Sequence, residues 1–165
     1  MGESHPGNHA QKIAVKQSQV VPIPDSLPFP QAAAFALVAQ TSYQMLVNRA
    51  QLETDDWVMV WGAGSGVGSM AIQIAKAKQA RVIAISGSDQ KLEKAKNLGA
   101  DICINYQNDD VIRMVKKETD GKGVNIVFEH VGEATWDISM RSLAKGGRVV
   151  TVSYTHLRAH ETSLP

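Results

Sequence analysis

Short apolar runs alternate with helically spaced apolar residues through the middle of the chain, from Gln31 to Ser153. A run that is apolar throughout is typical of a strand buried on both faces of a sheet. Between these runs, apolar residues recur at i, i+3, i+4 and i+7, which is the spacing of one helix face. Strands are predicted at residues 57–61, 81–86, 102–105, 124–129 and 148–153. This alternation predicts an α/β fold with a parallel sheet and right-handed crossovers.

Capping and breaking residues predict where the helices begin and end. Ser88 is placed to cap a helix that Gly99 would end. Asn108 or Asp109 is placed to open the next helix. Both helices fall between predicted strands, as the crossovers of a parallel sheet require. A further apolar stretch predicts a helix over residues 32–50, ahead of the first strand.

The two ends of the chain do not share this alternation. Residues 1–29 are rich in glycine, proline and polar residues, with one strand-like run at 11–21. We expect them to be a connector with little core of its own, followed by one domain over residues 30–153. Residues 154–165 do not continue the pattern, and we expect them to form a disordered tail that is foreign to the fold.

Composition and charge exclude several classes of partner. A formal net charge of +1 gives no reason to expect nucleic acid or an anionic membrane surface. Cys103 is the single cysteine, so neither a disulfide framework nor a cysteine metal cluster is expected. No apolar run approaches the roughly 20 residues that span a bilayer, and residues 1–10 lack the pattern of a signal peptide. We therefore expect a soluble cytoplasmic protein.

A glycine-rich turn follows the first predicted strand, at residues 62–68 (GAGSGVG). Glycines let the backbone approach a pyrophosphate closely, and the N-terminus of the following helix attracts its negative charge. The turn is not a strict G-x-G-x-x-G, because the sixth position is Val67 counted from Gly62 and Ser69 counted from Gly64. A tight turn without a ligand is the alternative. Four glycines in seven residues at the first crossover favour the phosphate site.

The end of the second predicted strand bears on which dinucleotide binds. An acidic residue there would accept hydrogen bonds from the adenosine ribose and favour NAD. Ser86 stands at about that position, while Ser88 and Lys91 can supply a hydrogen bond and a positive charge to a 2′-phosphate. NADP(H) is therefore favoured over NAD(H). The alternative is that Ser88 is only a helix cap and Lys91 only a solvated helix residue.

Several short motifs, taken together and in order, resemble the medium-chain dehydrogenase/reductase superfamily, which includes zinc-type alcohol dehydrogenases and zinc-independent quinone oxidoreductases. The resemblance covers roughly residues 7–153. The motifs are PIPD at 22–25, AAA at 32–34, TSY at 41–43, the turn at 62–68, GAD at 99–101, INY at 104–106, VG at 131–132 and KGGR at 145–148. The resemblance implies a Rossmann-type doubly wound sheet, truncated to about five strands. It also implies that residues 1–29 are a remnant of a GroES-like catalytic domain, so that the chain is the cofactor-binding fragment of a larger enzyme.

The resemblance also implies which residues bind the cofactor. In the quinone-oxidoreductase branch, a lysine and a tyrosine matching Lys91 and Tyr106 contact the 2′-phosphate. Tyr106 is otherwise a plain loop aromatic. His130 follows the fourth strand, where it would lie near the nicotinamide ribose or be merely half-buried. The full set of predicted cofactor-binding residues is Thr41, Gly64, Ser65, Gly66, Val67, Ser86, Ser88, Lys91, Tyr106, Val131 and Ser153.

Zinc is not expected from this segment. Zinc-containing members carry a cysteine ligand just upstream of the threonine that matches Thr41, whereas residues 37–40 contain no ligand. His160 begins an H-E-x-x-H pattern, but Leu164 replaces its second histidine, so that motif fails. No catalytic residue is assigned.

The function implied by the resemblance is hydride transfer between a nicotinamide cofactor and a quinone, enone or alcohol/carbonyl substrate. Such a fragment would lack most of the substrate pocket and would be inactive alone, and a dimer is possible in the parent but doubtful here. A non-catalytic dinucleotide-binding sensor or regulatory module is the alternative. A methyltransferase of similar topology is a weaker one, because it would need an acid where Ser86 stands.

Overall fold

The structure is a computed structural model that describes residues 10–152. The chain divides into two compact units, with the boundary between Leu37 and Val38. In the first unit, the strand-like run at 11–21 forms a single 3₁₀ turn, Gln17–Gln19, and no strand. An extended segment needs a neighbouring strand to satisfy its backbone groups, and the run has none there. The predicted tail at 154–165 lies outside the described residues.

The described elements follow the predicted alternation. Helix α1 (Phe29–Tyr43) runs into a π-helical segment (Gln44–Arg49). The elements that follow, in chain order, are β1 (Trp57–Val60), α2 (Gly66–Ala77), β2 (Arg81–Ser86), α3 (Asp89–Asn97), β3 (Ile102–Asn105), α4 (Val111–Glu118), β4 (Val124–Glu129), α5 (Glu133–Ser142) and β5 (Leu143–Thr151).

The five strands form one parallel sheet in the order β3-β2-β1-β4-β5. The chain therefore builds outward from β1 to β3, returns to the other side of β1, and continues to β5. The crevice at such a reversal of strand order is where open α/β sheets bind their ligands. The predicted Rossmann-type doubly wound sheet is confirmed.

Each face of the sheet has its own hydrophobic core, as continuous apolar strands require. Val58 and Val60 belong to a cluster with residues of α2 and α3. Met59 and Trp61 point the other way and belong to a cluster with residues of α4 and α5. The period of two along β1 thus sends neighbouring side chains to opposite faces.

Several element ends differ from the predictions. Asp110, rather than Asn108 or Asp109, caps α4, and its Oδ1 accepts a hydrogen bond from the Arg113 N–H at 3.1 Å. Asp109 accepts instead from the Asn105 N–H, at 3.2 Å from its Oδ2.

Strand β5 begins at Leu143, five residues before its predicted start at 148. The register between β4 and β5 shifts between Val124 and Ile126. That irregularity accommodates Gly146, whose φ is +80°. The predicted end of this strand, at Ser153, lies outside the described residues.

Helix α1 starts three residues before its predicted position at 32, and its regular part ends at Tyr43. Pro30 is tolerated in the first turn because a backbone N–H there has no helical partner. Among residues 10–152, no helix is long and apolar enough to cross a membrane.

The packing of α2 against the glycine-rich turn can be tested at Gly68. A Cβ at this position would meet the Gly62 carbonyl oxygen and come within 3.0 Å of Ser65 Oγ. Although alanine is favoured over glycine inside a helix by about 1 kcal/mol, we expect Gly68→Ala to lower the free energy of unfolding by about 1–3 kcal/mol. Urea unfolding followed by circular dichroism measures this. Gln73→Ala, an exposed site on the same helix, is the control and should stay within about 0.5 kcal/mol of wild type. Equal stability of Gly68→Ala and wild type would contradict the packing argument.

Candidate functional site

A cavity of about 610 Å³ opens at the carboxyl ends of β1, β2 and β3 and is closed on one side by α5. This volume lies within the range of about 300–1,000 Å³ that is usual for small-molecule sites. The cavity is bounded by the glycine-rich turn, by the loop after β2 and by the loop after β3. Its position matches the crevice that the strand order predicts.

The glycine-rich turn is compact and presents its backbone to the cavity. The Ser65 N–H donates to the Gly62 carbonyl oxygen at 2.8 Å, and Gly62 has a φ of +53°. Ser65 caps α2, since its Oγ accepts from the Gly68 N–H at 3.0 Å. Gly62, Gly64 and Ser65 all line the cavity. The cavity is therefore lined by the residue that caps α2, and helix N-termini favour anionic groups.

Two glycines at the cavity, Gly64 and Gly87, have side chains from other segments packed against them. A Cβ on Gly64 would lie 2.8 Å from Lys91 Cγ and Cδ, so the lysine stem packs on the turn. A Cβ on Gly87 would lie 2.6 Å from the Tyr106 hydroxyl oxygen. Lys91 and Tyr106 thus approach the cavity from α3 and from the end of β3. Within residues 10–152, Lys91 makes no ion pair.

The helices that begin at this edge of the sheet differ in which side chains accept hydrogen bonds from their first backbone N–H groups. Asp110 caps α4 with its own carboxylate. The loop that leads into α5 gives the N–H groups of Val131 and Gly132 to the Glu129 carboxylate. Ser88 occupies the predicted cap position of α3, yet its side chain makes no cap hydrogen bond. The hydroxyl of Ser88 is therefore available to a ligand in the cavity.

Glu129 ends β4 and is completely buried. Its Oε1 accepts from the Val131 N–H at 2.7 Å and from the Gly132 N–H at 3.2 Å. Its Oε2 accepts from Thr135 Oγ1 at 2.8 Å and from Ser139 Oγ at 2.7 Å. Every group that reaches this carboxylate is a donor, which suits a side chain that only accepts.

His130 packs against the glycine-rich turn. Its Nε2 lies 3.1 Å from Ser65 Oγ, and a Cβ on Gly62 would lie 2.7 Å from the same nitrogen. Its Nδ1 is buried with no hydrogen-bond partner among the described residues. Burial lowers the pKa of His130 below its ordinary value of 6.5, and the Glu129 charge opposes that shift. His130 therefore contacts the residue that caps α2, and the half-buried position expected from sequence is confirmed.

Seven of the predicted cofactor-binding residues line the cavity: Gly64, Ser65, Ser86, Ser88, Lys91, Tyr106 and Val131. Gly66 and Val67 do not line it. A Cβ on Gly66 would lie 3.0 Å from Val38 Cγ1, and the Val67 carbonyl accepts from Ser42 Oγ at 3.0 Å. Thr41 does not line it either, and Ser153 lies outside the described residues. Cofactor binding by this set stays a prediction.

Sequence reasoning missed other residues of the cavity wall. These are Trp61, Asp109, Asp110, Ile112, Thr135 and Ile138, among others. Trp61 is only 2% exposed and belongs to the hydrophobic core, but it also lines the cavity. The signal that could have identified Trp61 is its position directly after a strand at the first crossover, since ligands bind outside the carboxyl ends of the strands.

The arrangement of glycine-rich turn, helix N-terminus and cavity at a strand-order reversal defines a nucleotide-binding α/β domain. A sequence model of the family described as "Zinc-binding dehydrogenase" matches residues 66–164. The chain belongs to this family, within the medium-chain dehydrogenase/reductase superfamily that the motifs indicated. No group of three or more His, Cys, Asp and Glu side chains within residues 10–152 could hold a metal ion, so the described residues do not fit zinc.

Relatives with known names share this segment. The chain is 33% identical to a crotonyl-CoA reductase of Streptomyces avermitilis, over 96% of this chain and 40% of that protein. It is similar to the crystal structure of an NAD-dependent alcohol dehydrogenase, with a TM-score of 0.85, 40% identity and coverage of 88% of this chain and 42% of that one. It is also similar to Escherichia coli quinone oxidoreductase complexed with NADPH, with a TM-score of 0.68, 33% identity and coverage of 79% and 43%. The chain therefore spans about 40% of the length of these relatives, which are oxidoreductases by name.

The lowered pKa of His130 predicts a pH dependence of stability. Because the folded protein binds a proton at this ring less readily than the unfolded chain, the free energy of unfolding should fall as the pH drops from above 6.5 through the folded pKa. His130→Gln should remove that part of the slope. Urea unfolding at several pH values between 8 and 5 measures it, and NMR titration gives the ring pKa directly. An unchanged slope in His130→Gln, or a ring pKa of 6.5 or higher, would contradict the effect of burial.

Proposed function

We propose that this chain is the cofactor-binding part of an NAD(P)H-dependent oxidoreductase. The observation that carries the proposal is the cavity at the carboxyl ends of β1 to β3, which is bounded by the glycine-rich turn and lined by Ser65, the residue that caps α2. Membership of the zinc-binding dehydrogenase family supports the same function. The whole protein would transfer hydride between the nicotinamide and a quinone, enone or alcohol/carbonyl substrate. The oxidoreductase names of the relatives support neither a sensor nor a methyltransferase.

The cavity suits the adenosine half of the cofactor, with the pyrophosphate on the glycine-rich turn. Apolar side chains of Trp61, Val111, Ile112 and Ile138 line it and offer a surface for a purine ring. It lies on the side of the turn that carries β2 and β3, where the ribose of a dinucleotide meets the end of the second strand. The nicotinamide would then extend across β1 toward the carboxyl ends of β4 and β5.

We further propose that NADP(H) is preferred over NAD(H). Ser86, Ser88, Lys91 and Tyr106 converge at the end of β2, and no acidic residue stands at the position of Ser86. A lysine and three hydroxyl groups can bind a 2′-phosphate. Asp109 and Asp110 also line the cavity, but each carboxylate accepts a backbone N–H at its own loop or helix end. One similar structure is a quinone oxidoreductase complexed with NADPH and another is an alcohol dehydrogenase that is NAD-dependent by name, so the preference rests on the residues at the end of β2.

Titration of the purified chain with NADPH and NADH, followed by fluorescence, tests both proposals. Lys91→Ala should weaken NADPH binding by about tenfold or more, because a charge-assisted hydrogen bond is worth about 1.5–3 kcal/mol. NADH binding should change much less, since it lacks the 2′-phosphate. Lys94→Ala is the matched control, because Lys94 is exposed on the same helix and does not line the cavity. Equal loss for both cofactors in Lys91→Ala would contradict the preference, and binding of neither by a folded wild type would contradict the function.

A further inference from the structure

Trp61 is joined to the buried Glu129 by a chain of hydrogen bonds. The Trp61 Nε1–H donates to Ser139 Oγ at 2.8 Å, and Ser139 Oγ donates to Glu129 Oε2 at 2.7 Å. Trp61 directly follows β1 and Ser139 lies on α5, so the two residues are 78 positions apart in the sequence. The chain of bonds therefore ties the end of β1 to α5, and α5 to the end of β4.

The direction of these hydrogen bonds is fixed by chemistry. An indole N–H can only donate, so Ser139 Oγ must accept it and turn its own hydrogen to Glu129. Thr135 Oγ1 and the N–H groups of Val131 and Gly132 add three further donors to the same carboxylate. An amide in place of the carboxylate would set a donor against these donors.

Glu129 thereby holds two sides of the cavity at once. Trp61 and Val131 both line the cavity, as does Thr135 from the first turn of α5. The Trp61 ring also lies 6.1 Å from that of Tyr106, measured between centroids. Glu129 and Ser139 are both 0% exposed and do not line the cavity themselves. Their effect on a bound molecule would pass through the groups that they hold.

We propose that Glu129 is a positioning residue for the adenosine half of the dinucleotide. Through Ser139 and Thr135, its carboxylate fixes the Trp61 ring and the start of α5 as two walls of the cavity. The purine ring then meets a wall whose position is set before binding, so less freedom is lost on binding. This inference rests on the proposed function.

Two serines on α5 provide a matched test. Ser139 and Ser142 are both completely buried, yet Ser142 Oγ has no hydrogen-bond partner among the described residues. Ser139→Ala breaks the link between Trp61 and Glu129, whereas Ser142→Ala removes a hydroxyl that links nothing. The chain contains three tryptophans, so its indole N–H resonances can be assigned by NMR with Trp61→Phe.

Ser139→Ala should shift the Trp61 indole resonance and speed its exchange with solvent, and Ser142→Ala should leave both unchanged. Ser139→Ala should also lower the affinities for NADPH and for adenosine 2′,5′-bisphosphate by a similar factor, about five- to tenfold. Ser142→Ala should bind both ligands with wild-type affinity. Glu129→Gln should exceed Ser139→Ala in both effects if it folds.

The outcomes separate this inference from the proposed function. Wild-type binding of NADPH, together with equal affinities of the two serine variants, would overturn the positioning role and leave the proposed function standing. If Ser139→Ala lowered the affinity for NADPH but not that for adenosine 2′,5′-bisphosphate, the positioning role would also be overturned, because the cavity wall would then act on another part of the cofactor. Failure of the folded wild type to bind NADPH would overturn both.

Discussion

The close approach of α2 to the glycine-rich turn after β1 is the constraint on which the site depends. At Gly68 no side chain fits, because a Cβ would meet the Gly62 carbonyl oxygen. This contact sets the start of α2 directly after the turn, with Ser65 as its cap. The same turn is in contact with Lys91 at Gly64 and with His130 at Gly62. The glycines therefore leave room for side chains from α3 and β4 as well as for a ligand.

The carboxylates at this edge of the sheet decide where negative charge can bind. Asp110 and Glu129 each accept backbone N–H groups where α4 and α5 begin, so those helix starts already face an anionic side chain. At α2 and α3 the capping positions carry neutral serines, Ser65 and Ser88. Helix N-termini favour anions, and both of these serines line the cavity, so the proposed phosphate groups would lie beside neutral side chains there. Lys91, from the first turn of α3, would add positive charge beside them.

The sequence alone was sufficient for the sheet but not for the cavity wall. Strands buried on both faces leave apolar runs that can be recognised locally, and four of the five predicted strands lie within one residue of their observed limits. The run at 11–21 has a composition that suits a strand, but it forms none, because no strand pairs with it. The early start of β5 depends on its irregular pairing with β4. The bond between Trp61 and Ser139 spans 78 positions, and no local pattern reveals such a contact.

The buried carboxylate of Glu129 shows how stability and binding are connected here. An ionisable group without solvent is costly unless donors surround it, and Glu129 has four. An apolar residue would avoid that cost, but it would leave Ser139 and two backbone N–H groups without their acceptor, and Thr135 Oγ1 with the Gly132 carbonyl oxygen alone. Because those same groups hold Trp61 and the start of α5, replacing the carboxylate would loosen the cavity wall. Glu129, which accepts the hydrogen bonds of the backbone N–H groups that follow β4, is thus also the residue that keeps the cavity wall in place.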